Sequence, residues 1–280
     1  MIHLRSILLV VLCLALSGHS YGKVTDEIPQ LPTWQVLEFE EQAYWATANS
    51  RLELVESEGD ETQWEFKVSS SVVGNSEELS LGFEAASGRA LKRERLSKGK
   101  EQRLKTFAYR SDDILRERHN PQANSKAPPE EWPVTNRRTI PYPAAASQLV
   151  MTNPHLLILL AQRLQAQGPG GTMEVLVQTD LNFYRVRLTS GNGIPVTANY
   201  KITGDKKSSG PRDTVAVALQ VSPEGGLTDK EDFSLLGLQS EIILFFDKDS
   251  GLPLQVRGKA PRIGATEINL KSVTLRPAQQ

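Results

Sequence analysis

Along most of this chain apolar and polar residues alternate with a period of two, and that pattern restricts the fold more than any other feature. Trp64, Phe66 and Val68 alternate with Glu65 and Lys67, and Leu79, Leu81 and Phe83 alternate with Glu78, Ser80 and Glu84. A strand sends successive side chains to opposite faces, so these segments read as antiparallel strands with one buried and one wet face. Weaker alternation recurs at Leu37–Phe39, Leu52–Leu54 and Leu104–Tyr109. The breaks carry turn residues: Glu58-Gly59-Asp60, Gly74-Asn75-Ser76, Ser87-Gly88 and Ser97-Lys98-Gly99-Lys100. Residues 23–118 are thus predicted to form a meander of about six or seven strands.

The texture then changes twice. His119 to Pro143 holds six prolines with Trp132 and Tyr142 among them. Proline removes the ladder donor, so 119–152 is predicted to be a long connection, its large rings suiting it to act as a lid. Asn153-Pro154 is an N-cap followed by proline, and Gly168-Pro169 is a stop, which predicts one helix at about residues 154–167. Leu157, Leu160, Ala161 and Leu164 make its main stripe, widened by Leu156 and Leu159. An arc that broad suits burial against a sheet on more than one side. Strands resume at Val175–Thr179 and Phe183–Leu188, ahead of a turn at Gly191-Asn192-Gly193. Further strands are predicted at Val196–Ile202, Thr214–Val221, Glu241–Phe246, Leu252–Val256 and Thr266–Leu275, the last with a bulge near Lys271-Ser272 where the phase slips. The expected fold is mainly β: a curled antiparallel sheet, an open half-barrel, with one main α-helix packed on its concave face, residues 153–280 completing the domain begun by the meander.

Residues 1–22 have the layout of a secretory signal peptide: Arg5 in a short basic start, an apolar run from Ile7 to Leu16, and small residues at Ser20 and Gly22. Cleavage after Gly22 is expected to deliver the chain to the periplasm, with no transmembrane segment left in the mature chain. The single cysteine, Cys13, would leave with the leader, which excludes thiol catalysis, disulfides and cysteine-ligated zinc. The formal net charge of −1 gives no bulk argument for a nucleic-acid partner. Charge is unevenly placed, however: residues 23–88 hold fourteen acids and three bases, and 89–118 hold eleven bases and five acids. Either 89–118 is a basic binding face, or its strands pair with acidic neighbours at a few tenths to about 1 kcal/mol per pair. The alternation of the segment and its lack of an aromatic ladder favour pairing.

The helix from Asn153 ending in Gly168–Gly171, the strands Met173–Asp180 and Phe183–Thr189, the hairpin Ile242–Val256 with its Asp-x-Asp-Ser-Gly-Leu-Pro-Leu turn, and the glycine-broken last strand from Gly264 form an ordered set. That order resembles an uncharacterised bacterial periplasmic domain-of-unknown-function family, similar in fold to the outer-membrane lipoprotein carriers. The resemblance implies a half-barrel with a helix in or over its concave side. It implies no catalytic residues.

No chemistry-bearing motif competes with that reading. Asp247-Lys248-Asp249-Ser250-Gly251 lacks the further oxygen ligands of a calcium loop and reads as a hairpin turn. His119 and His155 lack metal-pair spacing, and neither joins a nucleophile elbow. Catalytic residues, metal and cofactors are therefore expected to be none. Two functions remain. In the first, the protein binds an apolar ligand (lipid, acyl chain or lipoprotein) in the half-barrel hollow, lined by Trp64, Phe66, Leu81, Phe83, Leu157, Leu160, Leu244, Phe246, Leu254 and Val256. In the second, it is an envelope scaffold that docks another envelope protein along an edge or charged hairpin and has no ligand cavity.

Overall fold

A computed structural model describes residues 32–43, 46–57, 60, 62–72, 74–123, 126–204, 206–225 and 230–276. The expected leader and its cleavage site lie outside the described residues. The meander consists of β1 (Trp34–Ala43), β2 (Ala46–Glu56), β3 (Gln63–Val72), β4 (Asn75–Glu84), β5 (Ala90–Lys98), β6 (Arg103–Tyr109) and β7 (Asp113–His119). Each of these strands pairs antiparallel with the next. After them come β8 (Val134–Pro141), the two-residue β9 (Met151–Thr152) and the helix α1 (Leu157–Ala166), which a 3₁₀ turn over Pro154–Leu156 leads into. The chain finishes with β10 (Thr172–Gln178), β11 (Phe183–Asn192), β12 (Val196–Ile202), β13 (Lys206–Arg212), β14 (Thr214–Glu224), β15 (Ser240–Asp247), β16 (Pro253–Ala260) and β17 (Gly264–Leu275).

All of these strands belong to one sheet. The pairing runs from β8 back through β7 to β1, crosses to β17, and continues through β16, β15, β14, β11 and β10 to β9. The β12–β13 hairpin attaches to β17 by a short parallel bridge. Where β1 meets β17, Glu38 faces Ser272 and Phe39 faces Leu270, so Lys271 is the extra residue of a bulge. That bulge stands where the phase slip predicted it and returns Leu270 and Ile268 to the core.

Two expectations need correction, and one strand was not expected. The proline-rich segment is not all connection: Val134–Pro141 pairs along β7, and short 3₁₀ turns occupy Pro129–Glu131 and Ala144–Ser147. Proline suits the end of an outer strand, because the ladder there needs donors on one side only. The turn predicted at Gly191-Asn192-Gly193 starts later, since Asn192 still pairs with Val215 of β14. Gly193 is there for closeness rather than turning: a Cβ on it would stand 2.1 Å from Thr214 Oγ1. Finally, β13 carries no apolar alternation at all and gave no strand signal.

The sheet curls around α1. Leu156, Leu157, Ile158, Leu159, Leu160, Ala161 and Leu164 are all buried, so the first turns of the helix are apolar around nearly their whole girth, as a segment enclosed on several sides must be. Its polar groups are met by the surrounding turns. Gln162 Oε1 accepts from Trp34 Nε1 at 2.8 Å, and Gln162 Nε2 donates to Gly251 O at 3.1 Å. Arg163 donates to the carbonyls of Ala85 and Ala86, while Thr152 Oγ1 donates to Gly88 O at 2.8 Å. Asn153 caps the leading turn through a bond from His155 N at 3.1 Å. Gly88 has φ +76°, and a Cβ there would lie 2.9 Å from Leu160 Cδ2, so glycine lets the β4–β5 turn rest on the helix.

The helix fills the hollow that the sequence analysis assigned to a ligand. Trp64, Phe66, Leu81, Phe83, Leu157, Leu160, Leu244, Phe246, Leu254 and Val256 do come together, but as buried members of one continuous core. Trp64 meets Phe83 edge-on with ring centroids 6.0 Å apart, and Trp34 meets Phe66 at 6.4 Å. Leu254 also reaches a surface cleft of about 740 Å³ beside β12 and β17. A core residue of this kind leaves a cavity when truncated. Phe83→Ala is expected to destabilise the protein by about 3–5 kcal/mol in urea titration; a loss under 1 kcal/mol would mean that the ring borders free space after all.

Candidate functional site

The concave face changes character between β4 and β5. Gly82 faces Lys92 but Phe83 faces Ala90, so Leu91 is an extra residue on β5. Beyond it Leu81 stands opposite Arg93 and Leu79 opposite Arg95. Pairing then sets Arg93 beside Phe107, Arg95 beside Lys105 and Ser97 beside Arg103. On the next strand Phe107 faces Arg116 and Lys105 faces Arg118. Opposed residues share a face of the sheet. Six cations of β5, β6 and β7 therefore point inward, continuing rows that are apolar on β3 and β4.

This revises the reading of the basic segment. On the outer face cross-strand pairing accounts for the charges, as in Lys98–Glu78 at 2.6 Å and Arg137–Glu117 at 2.6 Å. The inner set was missed because it needs the β5 bulge, which alternation alone does not place. Arg93, Lys105 and Arg116 are only 4, 7 and 3% exposed. They reach across to the turn between β10 and β11. Arg116 grips Asp180 with two bonds, Nε to Oδ1 at 2.8 Å and Nη2 to Oδ2 at 3.2 Å, and Lys105 Nζ donates to Oδ2. Arg93 donates to the carbonyls of Gln178 and Thr179, with its guanidinium 3.5 Å from the Phe107 ring centre. Tyr109 donates its hydroxyl to Gln178 Oε1 at 2.9 Å. Below this polar clasp Phe107, Ile114, Ile140, Ala145, Met151, Leu176 and Phe183 form a second apolar cluster. Side chains thus join the β5–β8 end of the curl to the β9–β11 end. The segment 119–152 contributes Ile140, Ala145 and Met151 to that junction, which makes it a seam filler.

Asp232 ties down the approach to β15. Its carboxylate accepts from Thr179 Oγ1 at 2.7 Å, Asn182 Nδ2 at 2.9 Å, Tyr184 OH at 3.1 Å and the Asp180 amide at 3.2 Å. Phe233 stacks edge-on against Tyr184 at 5.5 Å. The following hairpin tip, Leu236-Gly237, has φ +52° and +93°, the left-handed pair that a two-residue turn demands. Leucine there costs about 1–2 kcal/mol.

Beside the clasp the curl opens into a cavity of about 1160 Å³. One wall carries Arg93, Arg95 and Arg103, with His155, Asn153 and Asp180 among the deeper residues. Val68, Leu79, Leu236 and Ala260 give it apolar patches. Val72 and Ile263, 44 and 37% exposed, also border it. Leu236 and Arg262, two of the non-glycine residues held at positive φ, line it as well. Burial pushes the half-buried His155 down to about 4, so its imidazole is neutral near pH 7. Burial also lowers Arg93 and Lys105 and raises Tyr109. Burial would raise the Asp180 carboxyl as well, but the bonds and charges of Arg116 and Lys105 win and hold it well below the usual carboxylate range. The Asp247 carboxylate, considered above for calcium, is used by the turn itself, accepting the amides of Asp249 and Ser250 at 2.9 Å each.

No protein-family model matches the chain. No curated protein matches it at a significant level. Among solved structures the chain is similar to a β-barrel-like protein of the domain of unknown function DUF1849 from Brucella abortus, with 8% identity and a TM-score of 0.44 over 86% of this chain and 96% of that one.

The clasp predicts an acid-sensitive seam. A carboxyl whose pKa is depressed in the folded state contributes stability above its unfolded value, near 4, and that stability is lost as pH falls through the folded value. Asp180→Asn leaves Lys105 and Arg116 buried without their counter-charge and is expected to cost about 3–5 kcal/mol at pH 7. The gap from wild type should narrow as the pH of the urea titration drops below 4; a gap independent of pH would show that the charge of Asp180 is not what holds the seam.

Proposed function

We propose that the protein is a non-enzymatic periplasmic binding protein that takes an amphiphile, a lipid or acyl chain, at the open end of the curl rather than between sheet and helix. The observation that carries this reading is the cavity of about 1160 Å³, ample for a ligand of that kind, whose walls combine Val68, Leu79 and Leu236 with converging polar groups. Exposed Val72 and Ile263 at its border give an alkyl chain an apolar entry. The resemblance to a domain-of-unknown-function family whose fold is similar to that of the lipoprotein carriers points to the same ligand class by fold analogy.

The reading makes two measurable claims. Protein purified from its own host should begin at or within a few residues of Lys23 and fractionate with the periplasm; an intact Met1 on a cytoplasmic protein would overturn the location. Its organic extract should yield an amphiphile in near-stoichiometric amount by mass spectrometry, and Val72→Glu with Ile263→Glu should reduce it several-fold without unfolding the chain, since both side chains are exposed. An extract no richer than that of a control protein would leave the scaffold reading. In that reading the polar outer strand β8, exposed at every position but Ile140, docks an envelope protein that a pull-down would recover.

A further inference from the structure

We infer that the cavity at the open end recognises an oxyanion, a phosphate or carboxylate, seated against Arg93 and Arg95 as the head group of its ligand. The tail rests on the amphiphile reading above; the anion stands on the charges of the wall itself.

Arg93 is the main witness. It is almost wholly buried, yet its contacts are two backbone carbonyls and an aromatic ring, and among the described residues no carboxylate touches it. Its Nε is buried and has no partner among the described residues. Arg95, one row away on the same strand, spends Nη2 on Glu77 and likewise leaves a buried Nε unpartnered. Both arginines line the cavity. A buried guanidinium with a free donor and no counter-ion is costly, and its planar fork fits a phosphate or carboxylate better than any other small group.

The surroundings leave Arg93 without a paired carboxylate among the described residues, while Arg95 is answered by Glu77 alone. Asp180 is already shared by Lys105 and Arg116. Asp232 is occupied by two hydroxyls, an amide side chain and a backbone amide. Farther along the same wall Lys100 and Arg103, the latter paired with Glu101, carry positive charge toward solvent, which would draw an anion inward. The apolar patch of Val68 and Leu79 lies on the strands next to the arginines, so head and tail would be held side by side.

Isothermal titration calorimetry separates the possibilities with three probes below their aggregation limits: dodecyl phosphate, dodecanol and inorganic phosphate. Dodecyl phosphate is expected to bind at least tenfold more tightly than dodecanol. Arg95→Gln, on a half-buried wall position that tolerates exchange, should remove most of that difference while circular dichroism stays unchanged. Arg93→Gln should do the same where it folds. Inorganic phosphate binding as tightly as dodecyl phosphate would support the anion site and overturn the amphiphile reading. Dodecyl phosphate and dodecanol binding equally would overturn the anion site and leave the amphiphile reading standing. No heat from any of the three would overturn both.

Discussion

The first turns of α1, Leu157 to Ala161, are wholly apolar and need burial on every side, and the rest of this molecule is arranged to give them that. Each leucine of α1 contributes about 1.5–3 kcal/mol if fully buried. A flat sheet would cover one side only. The strands instead curl, so that Trp34 of β1, the β4–β5 turn at Ala86 and Gly88 and the β15–β16 turn at Gly251 all touch the same short helix. Those touches also answer the polar atoms of Gln162, Arg163 and Thr152, which buried deep would otherwise cost more than the apolar contacts gain.

Curling that far brings the two ends of the sheet close together, and the seam then becomes the weak point. Full barrels remove sheet edges by hydrogen-bonding first strand to last. Here chain ends and sheet ends do not coincide: β1 and β17 pair in the middle of the ladder, while β8 and β9 stand at its extremes. Side chains do the closing. Asp180 and the carbonyls beside it accept from Arg93, Lys105 and Arg116, with a small apolar cluster beneath. Burying three cations for one carboxylate is an expensive way to make a seam. The cost is moderated where the clasp borders the open end, because the Asp180 carboxylate is partly open to solvent there.

Much of this was legible in the residues. Alternation at Trp64–Val68 and Leu79–Phe83 placed β3 and β4, Asn153-Pro154 and Gly168 bracketed the helix, and the phase slip at Lys271 located the β17 bulge. Each is a local signal with a local cause. What stayed hidden depends on partners far away in sequence. β13, with its Lys-Lys-Ser-Ser-Gly-Pro-Arg run, is a strand only because β12 pairs with it. The outer strand β8 looks like loop in the sequence because Pro133 and Pro141 bound it, and nothing local tells that it pairs along one edge with β7. The inward cations were concealed by one residue: without the bulge at Leu91, Arg93 and Arg95 fall on the wet face, and Lys92 and Glu94 take their place inside. The ten apolar residues expected to line a hollow meet in one core, eight from the sheet and two from the helix. Whether an apolar sheet face encloses space or a helix depends on how tightly the sheet closes, which no period in the sequence encodes.

The closing seam also explains why the cavity sits where it does. Under α1 the concave face is apolar and filled; past the end of the helix the same face has no helix to cover, and its rows become cationic. A wall that changes from leucine to arginine along adjacent strands suits a molecule with one apolar and one anionic end, and suits a plain core poorly. The rim repeats the point. Leu236 and Arg262 both hold left-handed backbone conformations that asparagine or glycine would adopt more cheaply, and both border the opening. Strain of about 1–3 kcal/mol at such positions is kept only where the surrounding structure enforces it. At Leu236 the enforcement is visible: Leu235 and Leu238 exchange backbone bonds across the turn at 2.9 and 3.0 Å while Asp232 pins its base to the clasp, so the leucine is presented to the cavity by the same network that closes the sheet.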